Sequence, residues 1–379
     1  MTRVAATAVG GAPTVAAFPT GVGEERGWRM RALTLVADRK IELRDVAAPP
    51  RPAPGEVQIG IRAVGLNHLD VWGWRGMAFA KRKLPLVVGV EAAGEVVAIG
   101  PPSRASQPAT GSAGIKIGDR VVAYGALTCD NCKACREGRD NLCENVGGIM
   151  GFHVDGFARD RLNMPARLVI PVPAGVSLRD AACAPVAFAT VQHMLFDNAK
   201  LEPGETILVQ AGGSGIGSAA IKMAKAIGCT VITTVGDDDK AAKVKALGAD
   251  HVINYRTERF EGVVRKLTGK RGVDVAFEHV GPETFNGSLL CLKRGGRLVT
   301  CGSTSGQSTT INLFQLYLQQ YRIFGSFGAS LRNVRESLAK MATGITPVID
   351  TEVSLAEFER GLARLESRQV FGKIIVTFQ

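Results

Sequence analysis

The sequence predicts an α/β protein in which a β-rich part precedes a doubly wound parallel sheet. From Met30 to about residue 187, short strand-like segments are separated by Gly and Pro, and few helices are indicated. From about Thr190, strand-like and helical segments alternate regularly, which indicates a parallel sheet covered by helices. A glycine-rich loop lies between the first strand and the first helix of this second part.

The first part follows an N-terminal stretch, residues 1–29, in which Ala, Gly, Pro and Thr occur without a period. We predict that this stretch is a disordered extension, because it lacks the sustained apolar core of a signal peptide. Two short strands are expected in MRALTLVADRKIELRDV, and further strands in GEVQIGIRAVGLN and GDRVVAYG. The polar insert Pro101–Gly114 is predicted to be a surface loop.

In the second part, the predicted elements follow one another directly. Its strands are ETILVQ, TVITTV, HVINY, VDVAFEHV and GRLVTCG, and its helices are SAAIKMAKAIG, DKAAKVKALG, Phe260 to Thr268 and TFNGSLLCL. A helix around Val334 to Met341 and a last strand, FGKIIVTF, follow, and we expect this strand to return to the first part. The predicted domains are therefore residues 30–188 together with 327–379, and residues 189–326.

The charge does not indicate a nucleic-acid partner. The 379 residues carry a net charge of +11, but basic and acidic residues are interleaved, and the densest basic run is only Lys81-Arg82-Lys83. We interpret the charge as a solvated surface that attracts anionic substrates or cofactors. No apolar run approaches the roughly 20 residues that cross a bilayer. Four of the eight cysteines are clustered, which favours metal binding in a cytoplasmic protein over disulfides.

The glycine loop predicts a dinucleotide site. It has the pattern GxxGxG, follows a strand and opens a helix, and consists of Gly212, Gly213, Ser214, Gly215, Ile216 and Gly217. Glycines allow the tight turn and close helix packing, and the helix N-terminus attracts a pyrophosphate. Gly302, at the end of GRLVTCG, is a further candidate cofactor contact.

The strand after the glycine loop and its helix ends about 20 residues beyond the loop. In dinucleotide-binding domains, the residue at the end of this strand contacts the 2′ group of the cofactor. Val235 stands where an NAD enzyme usually has an acid, which leaves room for a 2′-phosphate that Lys240 and Tyr255 could bind. The run Asp237 to Asp239 would repel phosphate, and Asp237 could instead bind the ribose hydroxyls. We favour NADP(H) over NAD(H).

Four cysteines in CDNCKACREGRDNLC predict a closed metal site. Their spacing is C-x2-C-x2-C-x7-C, and they are Cys129, Cys132, Cys135 and Cys143. Four thiolates in one short segment suit tetrahedral zinc and leave no open coordination position, so we expect one structural zinc. The cysteines alone also allow an iron–sulfur cluster.

These motifs together resemble the medium-chain dehydrogenase/reductase superfamily, from about Met30 to the end. The resemblance rests on GLNHLD, GVEAAGEVVAIG, GDRVVAYG, the cysteine segment, AGGSGIG, KALGADHVINY and FGKIIVTF. It implies a GroES-like catalytic domain, a Rossmann domain inserted before the C-terminal segment, and an active site in the cleft between them. It also implies a homodimer or homotetramer.

The resemblance further implies that catalytic zinc is absent. Zinc alcohol dehydrogenases have Gly-His-Glu where this chain has Gly89-Val90-Glu91, and their other two ligands align with Asn67 and Val186. Neither valine can coordinate a metal. GLNHLD and GVEAAG look like the zinc-free quinone oxidoreductases, although those commonly lack the cysteine segment. The chain is thus expected to keep a structural zinc and to lack a catalytic one.

Several polar residues are candidates for catalysis in the cleft. We predict that Asn67 donates a hydrogen bond to a substrate carbonyl and that His68 supplies a proton. Asp70 and Glu91 are catalytic candidates or a buried support for the backbone. A rebuilt metal site of His68, Asp70, Glu91 and His153 is an alternative. Candidates for an apolar substrate wall are Met77, Phe79 and Phe327.

The sequence therefore predicts an NAD(P)H-dependent oxidoreductase that transfers a hydride to a small enone, quinone or related carbonyl compound. Polarisation without a Lewis acid suits a conjugated acceptor, and the cofactor carries the hydride chemistry. One alternative is a zinc-dependent alcohol dehydrogenase with the rebuilt site. Another is a cofactor- or nucleic-acid-binding protein with little turnover.

Overall fold

The computed structural model describes residues 29–76, 82–102 and 114–378. The predicted extension lies almost wholly outside the described residues, as do Met77, Phe79 and most of the insert Pro101–Gly114.

Strands in the described residues number sixteen. They are β1 (Arg29–Ala37), β2 (Lys40–Ala47), β3 (Glu56–Gly65), β4 (Leu86–Val87), β5 (Ala92–Ile99), β6 (Arg120–Ala123), β7 (Arg161–Pro165), β8 (Val169–Pro171), β9 (Thr206–Val209), β10 (Thr230–Val235), β11 (His251–Asn254), β12 (Val273–Glu278), β13 (Leu292–Thr300), β14 (Arg322–Gly325), β15 (Ile349–Val353) and β16 (Lys373–Thr377).

The same part of the chain contains eleven α-helices. They are α1 (His68–Trp74), α2 (Lys133–Arg136), α3 (Leu178–Ala181), α4 (Ala189–Gln192), α5 (Gly215–Ala226), α6 (Asp238–Ala246), α7 (Phe260–Leu267), α8 (Pro282–Cys291), α9 (Leu313–Leu318), α10 (Leu331–Ala342) and α11 (Phe358–Glu366). No helix within the described ranges has the length and hydrophobicity needed to cross a membrane.

The first domain is built on two sheets. A three-stranded sheet has the order β2-β1-β4, and a seven-stranded sheet joins β15-β16-β3-β5-β6-β8, with β7 also paired to β3. Strand β16 is antiparallel to β3, with Ile375 opposite Gly65, so the last strand returns to the first part of the chain as expected. This pairing brings Lys373, at the start of β16, close to the residues that follow β3.

The second domain is a parallel six-stranded sheet of order β11-β10-β9-β12-β13-β14. This confirms the predicted doubly wound fold. Strand order reverses between β9 and β12, and ligands of such sheets bind in the crevice beyond the carboxyl ends of the strands at this point. Apolar side chains continue from the first domain into this sheet in one core, which includes Val64, Phe188 and Val209.

A continuous helical run connects the two domains. Residues Ala184–Phe188 are π-helical, α4 follows, and His193–Asn198 is π-helical again. The predicted domain boundary between residues 188 and 189 falls inside this run, so it stays a prediction. π-Helical turns are rare and often occur at functional sites.

Candidate active site and metal centre

The cleft between the domains contains a cavity of about 2170 Å³. Such a space exceeds an ordinary small-molecule pocket, so it can take a dinucleotide and a substrate together. Asn67, His68, Val90 and Val186 all line it. These positions, which lie far apart in the sequence, therefore meet in one place as the predicted site requires.

The glycine loop is shaped by close contacts. A Cβ atom on Gly212 would lie 2.2 Å from Thr233 Oγ1, and one on Gly217 would lie 2.3 Å from the carbonyl oxygen of Ala211. Ser214 caps α5, since its Oγ accepts a hydrogen bond of 2.9 Å from the backbone N–H of Gly217. The loop residues that line the cavity are Gly213, Ser214, Gly215 and Ile216. These four therefore border the cavity at the N-terminus of α5, whereas Gly212 and Gly217 support the packing beneath.

Basic side chains surround the far end of the cavity, beyond β10. Lys240 and Tyr255 line it as predicted, next to Gly236. Arg256 and Arg368 also line this end, although the sequence analysis did not select them. Lys240 Nζ donates a hydrogen bond of 2.8 Å to the carbonyl oxygen of Arg368, which holds its ammonium group at the wall.

Asp237, a candidate cofactor contact, has a structural role in α6. It is the N-cap of α6, and its Oδ1 accepts a hydrogen bond of 2.7 Å from the backbone N–H of Lys240. It is also absent from the residues that line the cavity. Asp is favoured at an N-cap because its carboxylate satisfies backbone donors that have no partner within the helix.

The opposite end of the cavity lies beyond β12 and β13. Gly302 lines it, and a Cβ atom there would lie 2.6 Å from the carbonyl oxygen of His279. His279 Nε2 lies 3.0 Å from the carbonyl oxygen of Gln210, and burial lowers the pKa of His279 to about 4. The imidazole is therefore neutral at neutral pH and connects β12 to the glycine loop.

Three side chains from separate segments form a buried cluster beside the cavity, which we call the cleft network: Asn67, Glu91 and Lys373. Lys373 Nζ donates to Glu91 Oε1 at 2.7 Å and to Asn67 Oδ1 at 2.8 Å. Glu91 Oε2 accepts hydrogen bonds from the backbone N–H groups of Val186 and Ala187, at 2.8 and 3.3 Å. The side chains of Glu91 and Lys373 are 0% and 4% exposed, so this ion pair is shielded from water.

The cleft network changes the role predicted for Asn67. Its Nδ2 group donates to Glu91 Oε1 at 2.9 Å and to the carbonyl oxygen of Gly65 at 3.2 Å. Both hydrogens of the amide are thus used within the protein, and neither is free to polarise a substrate carbonyl. Glu91 is likewise a supporting residue, because its carboxylate is occupied by protein donors.

His68 and Asp70 lie in the first turn of α1. Asp70 Oδ2 accepts a hydrogen bond of 2.8 Å from the backbone N–H of Asn67, so Asp70 supports the helix start rather than reaching the cavity. Burial raises the pKa of Asp70 to about 7. His68 lines the cavity, but burial, with a smaller contribution from nearby positive charges, lowers its pKa to about 4. A neutral His68 can orient a substrate but is a weak source of protons.

Lys373 is the residue of this site that sequence reasoning missed. A signal for it was present, because it is the one charged residue in the otherwise apolar segment FGKIIVTF. An unpaired lysine would not be stable in a buried strand, so a carboxylate partner had to exist.

The described residues do not support the rebuilt metal site. Ligand atoms of His68, Asp70, Glu91 and His153 do not form a compact group, and Asp70 and Glu91 already accept hydrogen bonds from the protein. His153 lines the cavity, and its Nδ1 accepts a hydrogen bond of 3.2 Å from the backbone N–H of Ile149. Phe327 also lines the cavity and is 64% exposed, as a side chain of an open substrate wall would be.

The four clustered cysteines form the one compact set of metal donors found among the described residues. We call residues 129–143 the cysteine lobe. The four Sγ atoms lie within 4.8 Å of one another, and those of Cys129 and Cys135 are 4.0 Å apart. Zinc bound tetrahedrally at about 2.3 Å from each sulfur needs separations close to these.

The chemistry of the lobe also suits a cation. Burial alone would raise the pKa of Cys129, but hydrogen bonds from backbone N–H groups and neighbouring thiols together lower it to about 6. Burial and neighbouring thiols raise the pKa of Cys135 instead. Four adjacent thiolates repel one another, so a divalent cation is needed for all of them to ionise together.

The lobe is attached to the cavity wall. Asp140 Oδ2 accepts a hydrogen bond of 2.9 Å from the backbone N–H of Leu331, and Asn141 Nδ2 donates to the carbonyl oxygen of Phe327 at 3.0 Å. The buried Tyr124 hydroxyl donates to the carbonyl oxygen of Ala329 at 2.6 Å. The lobe therefore holds the segment that follows β14 in place.

Comparison with known proteins relates both domains of this chain to dehydrogenases. The family model "Alcohol dehydrogenase GroES-like domain" matches residues 53–174, and "Zinc-binding dehydrogenase" matches residues 215–343. An acryloyl-coenzyme A reductase of Metallosphaera sedula is 30% identical over 89% of this chain and 96% of its own length. A 2-haloacrylate reductase of a Burkholderia species is 31% identical over 70% of each chain. The crystal structure of an NAD-dependent alcohol dehydrogenase aligns with a TM-score of 0.85 and 35% identity, over 92% of this chain and 100% of that chain.

The fold and the cleft thus define a nicotinamide-dependent oxidoreductase. The chain belongs to the medium-chain dehydrogenase/reductase superfamily, which confirms the resemblance found in the sequence.

Proposed function

We propose that this protein is an NADPH-dependent reductase of small activated alkenes, quinones or related carbonyl compounds, acting without catalytic zinc. The observation that carries the proposal is the cleft network. Where the superfamily's zinc enzymes hold their catalytic metal, this chain has Val90, Val186 and an Asn67 whose amide is fully hydrogen-bonded.

In the hydride-transfer step the protein binds and orients the two reactants. When bound, the nicotinamide cofactor supplies the hydride. Gly213 to Ile216 would hold its pyrophosphate at the start of α5. A conjugated substrate accepts the hydride at its β-carbon, because the negative charge that develops is delocalised onto the carbonyl. The acrylate-type substrates named for two relatives support this substrate class.

The preference for NADPH rests on the basic end of the cavity. Lys240 and Arg256 line it beside Tyr255, and Asp237 faces its own helix instead. A 2′-phosphate would meet positive charge there, and charge-assisted hydrogen bonds to phosphate are stronger than those to a ribose hydroxyl.

We further propose that the cysteine lobe holds one structural zinc in a cytoplasmic protein. The four sulfur donors would complete the zinc coordination, so the metal would stabilise the lobe without contacting substrate. A reducing compartment would keep the four thiols available for the metal.

A homodimer is proposed from the surface of the second domain. Strand β14 is an edge strand of the parallel sheet, and α9 precedes it with Leu313 70%, Phe314 61% and Tyr317 65% exposed. Apolar side chains grouped beside an open edge favour pairing with a second copy. Light scattering should give twice the chain mass, and Tyr317→Glu should shift it toward the monomer. A parent protein that is monomeric at working concentration would contradict this part of the proposal.

The central experiment joins metal analysis to turnover. Purified protein is assayed with NADPH against 2-cyclohexen-1-one and 1,4-naphthoquinone, and with NAD⁺ or NADP⁺ against primary and secondary alcohols. We expect reduction of a conjugated probe at one zinc per chain. Two zinc ions per chain, with alcohol oxidation that disappears on mild chelation and returns with zinc, would establish the alcohol dehydrogenase alternative, which the similarity to an alcohol dehydrogenase structure favours.

A further inference from the structure

A second polar group lines the cavity at the end away from Lys240. His193 Nδ1 lies 2.9 Å from Asp197 Oδ2, and both residues belong to the π-helical segment His193–Asn198. Their side chains are 15% and 21% exposed, and both line the cavity. A spacing of four residues puts both on one side of the helical run, facing the same space.

Asp197 is held in its charged form by three donors. Arg332 Nη2 lies 2.9 Å from each of its oxygens, Asn333 Nδ2 donates to Oδ2 at 2.8 Å, and His193 supplies the third contact. Although burial alone would raise the pKa of Asp197, these hydrogen bonds hold it below its usual range. A permanently charged carboxylate therefore accepts the Nδ1 hydrogen of His193, which leaves Nε2 on the side of the ring away from Asp197.

The Nε2 atom of His193 lies near the segment that follows β14. It lies 3.4 Å from Asn141 Nδ2, whose amide also donates to the carbonyl oxygen of Phe327, a residue that follows β14. Lys240 and Tyr255 lie beyond β10, on the other side of the glycine loop. A dinucleotide with its pyrophosphate at that loop and its ribose phosphate near Lys240 would extend its nicotinamide toward β13 and β14, where His193 lies.

The other cavity histidines are less suited to proton transfer. His68, His153, His193 and His279 line the cavity, and of these four only His193 is hydrogen-bonded to a carboxylate within the described part of the chain. The pKa values of His68 and His279 are lowered to about 4 by burial. The charged groups nearest to His193 in the hydrogen-bond network are Asp197, which contacts it, Arg332, which contacts Asp197, and Glu336, which contacts Arg332. Asp140 precedes Asn141 in the chain and binds the backbone N–H of Leu331.

We propose that His193, oriented by Asp197, donates the proton that completes alkene reduction. The inference rests on the proposed function and adds a catalytic residue to it. Hydride addition to the β-carbon leaves an enolate on the substrate. The Nε2–H bond of the His193 imidazolium then breaks as a C–H bond forms at the α-carbon, and the neutral imidazole regains a proton from water. The cofactor is oxidised and the substrate reduced by two electrons, with one proton consumed.

A comparison of two substrates distinguishes a role of His193 in proton transfer from a purely structural role. Protonation of an enolate at carbon is slow and benefits from a positioned acid, whereas a hydroquinone anion is protonated at oxygen by water. His193→Gln keeps the hydrogen-bonding capacity of the side chain but cannot supply a proton. With NADPH, we expect this variant to lower kcat for 2-cyclohexen-1-one by about 100-fold and to leave kcat for 1,4-naphthoquinone within about twofold.

A matched control completes the test. His251→Gln alters an exposed histidine on β11, outside the cavity, and should behave as the parent does. Asp197→Asn should give a smaller loss on the enone, because the imidazole stays present but is less well oriented.

Three results would overturn the inference. An equal loss on both substrates would indicate a structural role for His193, and full activity on the enone would exclude a catalytic one. If His193→Gln does not fold, a parent solvent isotope effect that is no larger on the enone than on the quinone would also count against it. Failure of the parent protein to reduce either probe would instead reject the proposed function, and the inference with it.

Discussion

The cysteine lobe and the cleft network lie at the two positions where zinc enzymes of the superfamily hold their metals. Each groups acidic side chains, and the two differ in where the balancing positive charge comes from. In the lobe, four thiols from fifteen consecutive residues come together, and the proposed zinc would balance their charge from outside the chain. In the cleft, the carboxylate of Glu91 is neutralised by Lys373 from the same chain, 282 positions away. The comparison teaches that a buried acid is balanced by a basic side chain from a distant strand, whereas a local cluster of thiols contains no cation of its own.

The largest effect is expected in the lobe. Cys129→Ser should remove zinc from the protein and lower its melting temperature strongly, because the folding free energy of such a site comes largely from the metal. Metal analysis and thermal unfolding measure both effects. Cys229→Ser is the control, since Cys229 is buried outside the lobe and its Sγ donates to the carbonyl oxygen of Glu202, as a serine hydroxyl can. Zinc retained in the Cys129 variant would show that the four thiols are not the metal site.

The next effect concerns the ion pair of the cleft. Lys373→Met should lower the free energy of unfolding by about 3–5 kcal/mol, because it leaves the carboxylate of Glu91 buried without a partner. Chemical denaturation measures the change. Combining Lys373→Met with Glu91→Gln should recover much of the loss while zinc content stays constant. If the double variant is no more stable than the single one, the two residues are not energetically coupled.

A smaller effect should appear as pH dependence. The pKa of His68 is lowered from 6.5 to about 4, so the unfolded chain binds more protons than the folded one between these values. The stability contributed by neutral His68 is therefore present above about pH 6.5 and lost as pH falls toward 4. His68→Gln should reduce the slope of unfolding free energy against pH in this window by at most about 1.4 kcal/mol per unit. Urea denaturation between pH 4 and 7 checks this, and an unchanged slope would contradict the assigned environment of His68.

The smallest effect is expected at the basic end of the cavity. Lys240→Ala should reduce the preference for NADPH over NADH by about fivefold, since one solvent-accessible charge–phosphate contact contributes about 1 kcal/mol. The dissociation constants of both cofactors are compared by fluorescence titration. Lys243→Ala on the same helix is the control, because Lys243 does not line the cavity. A parent protein that binds NADH as tightly as NADPH would contradict the proposed 2′-phosphate site.

Local sequence was enough to predict those functional features whose residues are neighbours in the chain. The glycine loop, its strand and its helix were predicted in place, because a tight turn beside a helix N-terminus requires glycines at fixed spacing. The cysteine lobe was also found from the sequence, because its four metal donors lie at short, fixed spacings in the chain. Asp237 shows the limit of this reasoning, since an acid after a strand can bind ribose or cap a helix, and only the geometry of α6 separates the two roles.

The residues of the cleft could be selected from the sequence, but their roles could not. Asn67, His68 and Glu91 were identified by resemblance, whereas the hydrogen bonds that use up the amide of Asn67 come from segments far apart in the chain. His193 and Asp197 carry no motif, because a spacing of four residues on a helix is common. Their shared exposure to the cavity depends on how the helical run packs between the domains.

The sequence by itself determined the superfamily, the dinucleotide loop and the four-thiol donor set, because each is recognised from short motifs whose residues lie within about fifteen positions of one another. Only the tertiary structure decided that Lys373 balances Glu91, that Asp237 caps a helix and that His193 and Asp197 pair in the wall of the cleft. These facts depend on strand β16 returning to β3 and on the packing of the two domains. Burial and the direction of a side chain arise from that packing, and they set the charge and the hydrogen-bonding partners of each group.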